Sequence, residues 1–122
     1  MSRITVDYGE VGGGGKVYQG TTPIANPATI DFGFVPKKII VQAYGSDNYY
    51  ATTIYDEDLY GGGKRCVRGQ NSGGNAYIAF FTIDVHSEYV TVIKSLSGTQ
   101  MEINAYTTGN YYGTDYYITA IG

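Results

Sequence analysis

The sequence has no tryptophan, one histidine and one cysteine among its 122 residues, and these scarcities exclude several kinds of protein. A single cysteine, Cys66, cannot form a disulfide within the chain, so a core and strand ladders must hold the fold. One cysteine and one histidine, His86, are too few ligands for a typical structural zinc site. The chain also has no G-x-S-x-G segment, so nothing indicates a serine nucleophile with a histidine base.

Basic residues and long apolar runs are also scarce. The chain has 8 Lys and Arg against 11 Asp and Glu, a formal net charge of −3. Nucleic-acid binding through phosphates needs clustered cations, so we expect no nucleic-acid partner. No apolar run approaches the roughly 18 residues of a membrane span, and the opening segment MSRITVDYGE lacks the apolar region of a signal peptide. We therefore expect that the protein does not insert into a membrane. The single cysteine also fits synthesis in a reducing cytoplasm.

Glycine and tyrosine are abundant, with 18 and 14 residues. Glycine supplies turns, and tyrosine suits a pleated surface that is half exposed to water. Short segments alternate apolar and polar residues, whereas no window shows the apolar stripe of a helix. The pattern predicts one all-β domain over residues 1–122, an antiparallel, jelly-roll-like β-sandwich of about eight strands.

Three segments carry the most specific strand predictions. In KKIIVQAY, Ile39, Val41 and Ala43 are expected to share one face of a strand, opposite to Ile40, Gln42 and Tyr44. NAYIAFFTIDV is apolar on both faces, which predicts a central strand buried on two sides. The residues Ser-Gly-Thr at 97–99 separate two alternating segments, which predicts a hairpin there.

Two lysines follow glycine runs, in GGGGKVYQG and GGGKRCVRG, as in a phosphate-binding loop. That loop needs a glycine five residues before its last glycine and Ser or Thr after the lysine. Glu10 and Val17 occupy these places in the first segment, and Asp58 and Arg65 in the second. We therefore interpret the glycine runs as hairpin loops and expect no nucleotide or other cofactor.

Cys66 and the acidic run at 56–58 leave alternatives open. Cys66 lies near Lys64, Arg65 and Arg68, so its thiol has either a lowered pKa or an inert position in a buried strand. Three adjacent acids at 56–58 suggest a Ca²⁺ site, a catalytic carboxylate pair or a solvated turn. The run lacks the D-x-[DN]-x-[DN]-G pattern of a calcium loop, which favours the turn.

The tyrosine doublets at 49–50 and 111–112 adjoin turn-forming residues, in GSDNYY and TTGNYYGTD. Tyrosine among Gly, Ser, Asn and Asp is typical of recognition loops, because the ring is rigid and the small polar residues adapt. A ring face can stack on a sugar while acids and amides bind its hydroxyls. The alternative is that the rings cover sheet edges or pack between subunits. The predicted binding residues are Asp47, Asn48, Tyr49, Tyr50, Asn110, Tyr111, Tyr112 and Asp115, followed by Tyr55, Asp56, Asp58 and Tyr60.

Two framework segments, IDFGFVPKKIIVQAYG and the closing YYITAIG, resemble a pattern found in phage structural proteins. There, an opening strand leads through GF.P..vIV and a YY..A.G strand closes the domain. The resemblance covers about Thr29 to Tyr44 and Asp115 to Gly122, and it is to the receptor-binding or C-terminal modules of phage tail fibres. It implies an antiparallel β-sandwich, often trimeric, whose loops reach a host-surface glycan or protein. H-type lectins are a more distant likeness.

We therefore expect a non-enzymatic phage or prophage virion module, made in the host cytoplasm and carried in the virion. Its expected partner is a cell-surface glycan, and a homo-oligomer is expected, with a trimer favoured. Two alternatives are a purely structural virion part for decoration or tail assembly, whose tyrosines contact other virion proteins, and a small bacterial lectin-like carbohydrate-binding protein.

Overall fold

The computed structural model describes residues 3–6, 15–58, 63–83, 92–105 and 111–122. Within these ranges the chain forms ten β-strands and no helix. In chain order the strands are β1 (Arg3–Val6), β2 (Val17–Pro23), β3 (Ile30–Asp31), β4 (Lys38–Ser46), β5 (Tyr49–Asp56), β6 (Arg65–Ser72), β7 (Asn75–Thr82), β8 (Ile93–Ser97), β9 (Gln100–Ile103) and β10 (Asp115–Ile121). Every pairing between them is antiparallel. The predicted all-β antiparallel fold is confirmed, with ten strands in place of about eight.

The strands form two sheets of unequal size. The larger sheet has seven strands in the order β1-β2-β10-β4-β5-β6-β7, and the smaller has three in the order β3-β9-β8. Strands β4 to β7 follow one another as a meander, whereas β10 inserts between β2 and β4. The two segments that carry the resemblance to tail-fibre modules therefore meet, because they contain β4 and β10.

The core lies between the two sheets. Ile39, Val41 and Ala43 share one face of β4, as their alternation predicts, and that face is buried. They join one cluster with Ile93 and Met101 of the smaller sheet. We call this side of the seven-stranded sheet its inner face and the opposite side its outer face. Burial of one face per sheet is the arrangement expected of a β-sandwich.

Tight turns join successive strands where glycine permits a positive φ. Gly73 and Gly74 form the two-residue turn between β6 and β7 with φ of 63° and 89°. Two adjacent residues with positive φ are what a type I′ hairpin requires, and glycine adopts them without a steric penalty. Gly98, with φ 58°, turns the chain between β8 and β9. The predicted hairpin at 97–99 is thus confirmed.

The prediction that NAYIAFFTIDV forms a central strand was wrong. Its strand, β7, is the last of the seven among the described strands, and it pairs with β6. Most of its side chains are exposed, including those of Tyr77 and Ile78. An apolar pattern on both faces is therefore not sufficient evidence for a central strand, because it reports neither how many strands lie beside the segment nor what covers its faces.

Candidate functional site

Three turns meet at one end of the seven-stranded sheet. They are the β4–β5 turn at Asp47–Asn48, the β6–β7 turn at Gly73–Gly74 and the turn at 111–113 that precedes β10. The backbone N–H of Gly73 donates to the carbonyl of Asn48 over 2.8 Å. Asn71 Nδ2 donates to the carbonyl of Asp47 over 3.3 Å. We call this region the tyrosine end, because it contains Tyr44, Tyr49, Tyr50, Tyr111 and Tyr112.

The turn at 111–113 packs directly against the end of β4. An added Cβ on Gly45 would lie 1.7 Å from the carbonyl oxygen of Tyr111. On Gly113, whose φ is 89°, a Cβ would lie 2.6 Å from the carbonyl oxygen of Tyr44. The β4–β5 register shifts between Tyr44 and Ser46, at Gly45. A bulge built on glycine therefore lets two backbone segments approach closely, which positions Tyr111 and Tyr112.

One row of rings runs from the core to the surface at this end. Tyr112 is buried, with 7% of its surface exposed, and its hydroxyl accepts a hydrogen bond from Gln70 Nε2 over 3.1 Å. Tyr49 packs edge-on against Tyr112, with ring centroids 6.2 Å apart and an interplanar angle of 87°. Tyr111 then stacks on Tyr49 at 4.9 Å and 26°. Tyr111 is exposed, so an anchored row of rings presents it to solvent.

A second ring pair lies on the other side of the β4–β5 hairpin. Tyr44 and Tyr50 are cross-strand partners on the outer face, and their rings stack at 6.4 Å and 24°. The Tyr44 hydroxyl donates to Asp47 Oδ1 over 2.5 Å. This hydrogen bond is the main reason why the pKa of Tyr44 is raised above its ordinary value of 10.0. Tyr44 was not among the predicted residues, although its place beside GSDN was a signal for it.

Between the two sheets, the residues that the structure describes leave no room for an organic ligand. A cavity of about 10 Å³ between the sheets is lined by several polar side chains, among them those of Thr53, Arg68 and Asn104. That volume holds at most one water molecule. Thr53 Oγ1 is buried and has no hydrogen-bond partner among the described residues. Any sugar-sized ligand must therefore bind at the surface.

Two buried polar residues, Arg68 and Gln70, contact the tyrosine end from the core. Neither was among the predicted residues. Arg68 Nε donates to Gln70 Oε1 over 2.7 Å. Gln70 Nε2 in turn donates to the hydroxyls of Tyr77 and Tyr112. Cys66, Arg68 and Gln70 alternate along β6, so period two places them on one face, but arginine and glutamine are usually exposed. The alternation with Cys66 could have predicted that Arg68 and Gln70 are buried. Their polar side chains favoured the opposite prediction.

The predicted binding residues divide between two ends of the sheet. Asp47, Asn48, Tyr49, Tyr50 and Tyr111 come together at the tyrosine end. Asp115 begins β10 near the turn at 111–113 and accepts a hydrogen bond from Thr114 Oγ1 over 3.1 Å. Asn110 and Tyr60 lie outside the described residues.

Two predicted tyrosines proved to be core residues. Tyr112 belongs to the core cluster, and so does Tyr55. Tyr55 alternates with Ala51 and Thr53 on the buried side of β5, where burial raises the pKa of its phenol. The prediction assigned both residues to the ligand-binding surface, whereas the structure buries their rings. Composition near a turn does not reveal which side of a strand faces the second sheet.

The acidic run lies far from the tyrosine end. Tyr49 and Asp56 are the two ends of β5, about 24 Å apart at the usual rise per residue. Asp56 forms an exposed ion pair with Lys38 at 3.8 Å, and its Oδ1 accepts from the backbone N–H of Asp58 at 3.0 Å. Among the described residues, no three His, Cys, Asp or Glu side chains gather as they would around a metal ion.

Cys66 has the inert environment of a buried strand residue. Its side chain is fully buried on the inner face of β6, and burial raises the pKa of its thiol from 9.0 to about 12. A lowered pKa was the alternative expected from the neighbouring cations, and the structure contradicts it. The cause is desolvation, which disfavours the charged thiolate in the buried position.

Comparison with known proteins finds no likeness: no family model, no curated protein and no solved structure matches this chain. In the described ranges, no helix has the length and apolar character needed to cross a membrane. The fold and the site therefore define the class, an all-β, antiparallel, two-sheet domain that presents stacked tyrosines at one end.

Proposed function

We propose that this chain is a non-enzymatic binding module that recognises a cell-surface glycan through the tyrosine end. The observation that carries the proposal is the exposed ring of Tyr111, held in one orientation by its stack on Tyr49. A preordered ring loses little conformational entropy on binding, so more of its contact energy appears as affinity.

The chemistry of the tyrosine end suits carbohydrate. An aromatic face offers apolar contact to the C–H face of a pyranose, and carboxylates and amides bind hydroxyl groups. Asp47 and Asn48 supply these groups at the β4–β5 turn, and both are exposed. The Tyr44–Tyr50 pair, with Asp47 at 2.5 Å from the Tyr44 hydroxyl, adds a second ring platform beside that turn.

We further propose that the module belongs to a phage or prophage virion, as a tail-fibre-type receptor-binding domain. This rests on the resemblance of the two framework segments, which are neighbours in the sheet as β4 and β10. An open surface with stacked rings and no deep pocket favours weak binding at each site. Multivalent display in a homo-oligomeric fibre, with a trimer favoured by the resemblance, would raise the overall avidity.

A structural role in the virion is the second candidate. The observation that favours it is the outer face of the seven-stranded sheet, where Tyr117 and Ile78 are exposed in one cross-strand row of uncharged residues. Exposed apolar surface of this kind is typical of protein–protein contacts. The two roles are compatible at Tyr111, which lies on the other side of the sheet, whereas they compete for the Tyr44–Tyr50 pair, which lies on the outer face.

The test begins with an array of bacterial surface oligosaccharides probed with the wild-type protein. A soluble form of any glycan bound there is then titrated by NMR, which measures affinity at each site and is insensitive to avidity. Tyr111→Ala is expected to weaken that affinity by at least about tenfold, a typical loss for an aromatic contact residue. Tyr44→Ala is titrated in parallel and reports whether the second ring pair takes part.

Tyr117→Ala is the matched control, because Tyr111 and Tyr117 are equally exposed, at 52% each, and Tyr117 lies away from the turn. It should leave the affinity for the glycan unchanged. A folded wild-type protein that binds nothing on the array, or equal losses for Tyr111→Ala and Tyr117→Ala, would contradict glycan recognition at the tyrosine end. Capture of another virion protein through the outer face would then favour the structural role.

A further inference from the structure

The outer face of the seven-stranded sheet carries three rows of side chains that the strand register places side by side. The first row is Gln19, Thr119, Ile40, Ile54, Val67 and Phe80. The second is Thr21, Tyr117, Gln42, Thr52, Gly69 and Ile78. The third is Tyr44, Tyr50, Asn71 and Ala76. None of these sixteen residues is charged, although the chain carries 11 acidic and 8 basic side chains. Charged residues of the same face border the rows: Asp115 lies beside the third row, and Lys38, Asp56 and Arg65 lie in the row beyond the first.

We propose that this outer face is the contact surface for a second copy of the same chain, related by a two-fold axis. The inference goes beyond glycan recognition and stands independently of it. An isologous contact requires one face to carry both a projecting group and the hollow that receives it. The second row carries both.

Gly69 provides the hollow. A Cβ built on Gly69 meets nothing within 4 Å, and a groove of about 570 Å³ runs over it between Tyr50, Thr52 and Ile78. Tyr117, in the same row, provides the projecting group, because its ring stands exposed on the outer face. The projecting Tyr117 on β10 (the knob) and the hollow at Gly69 on β6 (the hole) therefore lie on one surface. They are three strands apart in the order β10, β4, β5, β6.

A single axis brings the knobs and holes together. A two-fold axis parallel to the strands and midway between β4 and β5 exchanges β4 with β5, β10 with β6, and β2 with β7. Because Tyr117 and Gly69 share a row, each Tyr117 then lies over Gly69 of the other copy. The same operation sets Ile40 opposite Ile54 of the other copy. The two sheets pack face to face in the aligned arrangement common in sandwiches.

Charge and area favour a second copy over a charged partner. The chain has a net charge of −3, yet two outer faces can meet without bringing like charges into contact. The charged residues of this face, Lys38, Asp56, Arg65 and Asp115, lie at the border of the three rows, so the rows themselves offer nothing that would select a partner of opposite charge. Six strands and three rows span about 29 Å by 20 Å, roughly 600 Å² in projection. Side-chain relief increases the accessible area towards the roughly 800 Å² per partner of a standard interface.

Sedimentation velocity over a range of protein concentrations tests the proposal, and the wild type is expected to be dimeric or to contain dimers as its unit. Gly69→Leu should raise the dimer dissociation constant by at least about tenfold, because the new side chain fills the hole that receives Tyr117. The fold itself has room at this position. In the double variant Gly69→Leu with Tyr117→Ala, the shorter knob leaves space for the leucine, and dimerisation should recover in part.

A charge placed on the face gives an independent variant. Ile78→Asp should dissociate the dimer, whereas Val35→Asp should not, because Val35 is similarly exposed, at 64%, but precedes β4 and lies outside the three rows. Circular dichroism and thermal melting confirm that each variant is folded. A monomeric wild type, a trimer unaffected by Gly69→Leu, or equal effects of Ile78→Asp and Val35→Asp would each overturn the proposal. This test measures mass and not glycan binding. It can therefore support the dimer when the array contradicts glycan recognition, and contradict the dimer when the array supports glycan recognition.

Discussion

The ring of Tyr49, at the start of β5, stacks on the ring of Tyr111 with centroids 4.9 Å apart and planes inclined by 26°. This contact joins two segments that are remote in the chain and both rich in turn-forming residues. It exists because the turn at 111–113 approaches β4 at Gly45, where no side chain intervenes. The tyrosine end therefore depends on a backbone contact as much as on its aromatic rings.

The close approach at Gly45 predicts a large effect of a small substitution. Gly45→Ala places a methyl group 1.7 Å from the Tyr111 carbonyl oxygen, so the turn must move away from β4. We expect a loss of about 2–4 kcal/mol in the free energy of unfolding, in the range of overpacking and strain effects. Urea unfolding measures it. Gly69→Ala, whose Cβ meets nothing within 4 Å, is the matched control and should change stability by less than about 1 kcal/mol. Similar values for both variants would refute the close approach.

Tyr112 is predicted to act on stability more than on binding. Tyr112→Ala removes a buried ring from the core cluster and should cost about 3–5 kcal/mol of unfolding free energy. Tyr112→Phe keeps the ring and loses the hydroxyl that accepts from Gln70, so it should cost about 1–2 kcal/mol. Chemical denaturation of both variants checks the order of the two effects. Tyr111→Ala, at an exposed ring, should change stability much less, and an equal loss there would place Tyr111 in the core.

The buried thiol of Cys66 predicts a pH dependence. Because its pKa is raised from 9.0 to about 12, the folded state holds a proton that the unfolded chain releases. The stability that this group contributes is fully present below about pH 9 and is lost as the pH rises towards 12. Cys66→Ala should therefore show a shallower fall of stability over pH 9–12 than the wild type. The two proteins share every other titratable group, so the difference between the two curves isolates the thiol.

The same burial makes Cys66 slow to react. At pH 8 the folded protein should react with a soluble thiol reagent at least about a hundredfold more slowly than the denatured chain, because the thiol must first be exposed by opening. The absorbance of the released thiolate follows the reaction. Fast labelling of the folded protein would contradict the buried position of Cys66 on β6.

The hydrogen bond between Tyr44 and Asp47 predicts a shift in a surface titration. The bond holds the phenol in its protonated form, so the Tyr44 pKa lies above 10.0. Asp47→Asn should lower the Tyr44 pKa towards 10.0, as measured by NMR of ¹³C-labelled tyrosine rings. Asp115→Asn removes a carboxylate that bonds Thr114 and should leave the Tyr44 titration unchanged. Equal shifts in both variants would indicate a general charge effect in place of this hydrogen bond.

Part of the tyrosine end could be read from composition. Tyr49, Tyr50 and Tyr111 stand beside Gly, Asn and Asp, which predicts turns. Because turns between neighbouring strands lie at the ends of a sheet, the common position of these three residues was predictable. The roles of Tyr55 and Tyr112 were not, because a tyrosine beside a turn has the same local sequence whether its strand sends it inward or outward. Arg68 and Gln70 were missed for a related reason: their burial depends on partners such as Tyr112, which lies far away in the chain.

The sequence by itself determined that this protein is an antiparallel all-β domain, since alternation and glycine turns depend only on neighbouring residues. It also determined that Ile39, Val41 and Ala43 share one side of β4, because side chains alternate with period two along a strand. Only the tertiary structure decided that β10 inserts between β2 and β4, that β7 ends the row of described strands and that Tyr111 stacks on Tyr49. These features depend on strand order and on backbone contacts between remote segments, and local pattern carries no information about which remote segment a strand will meet.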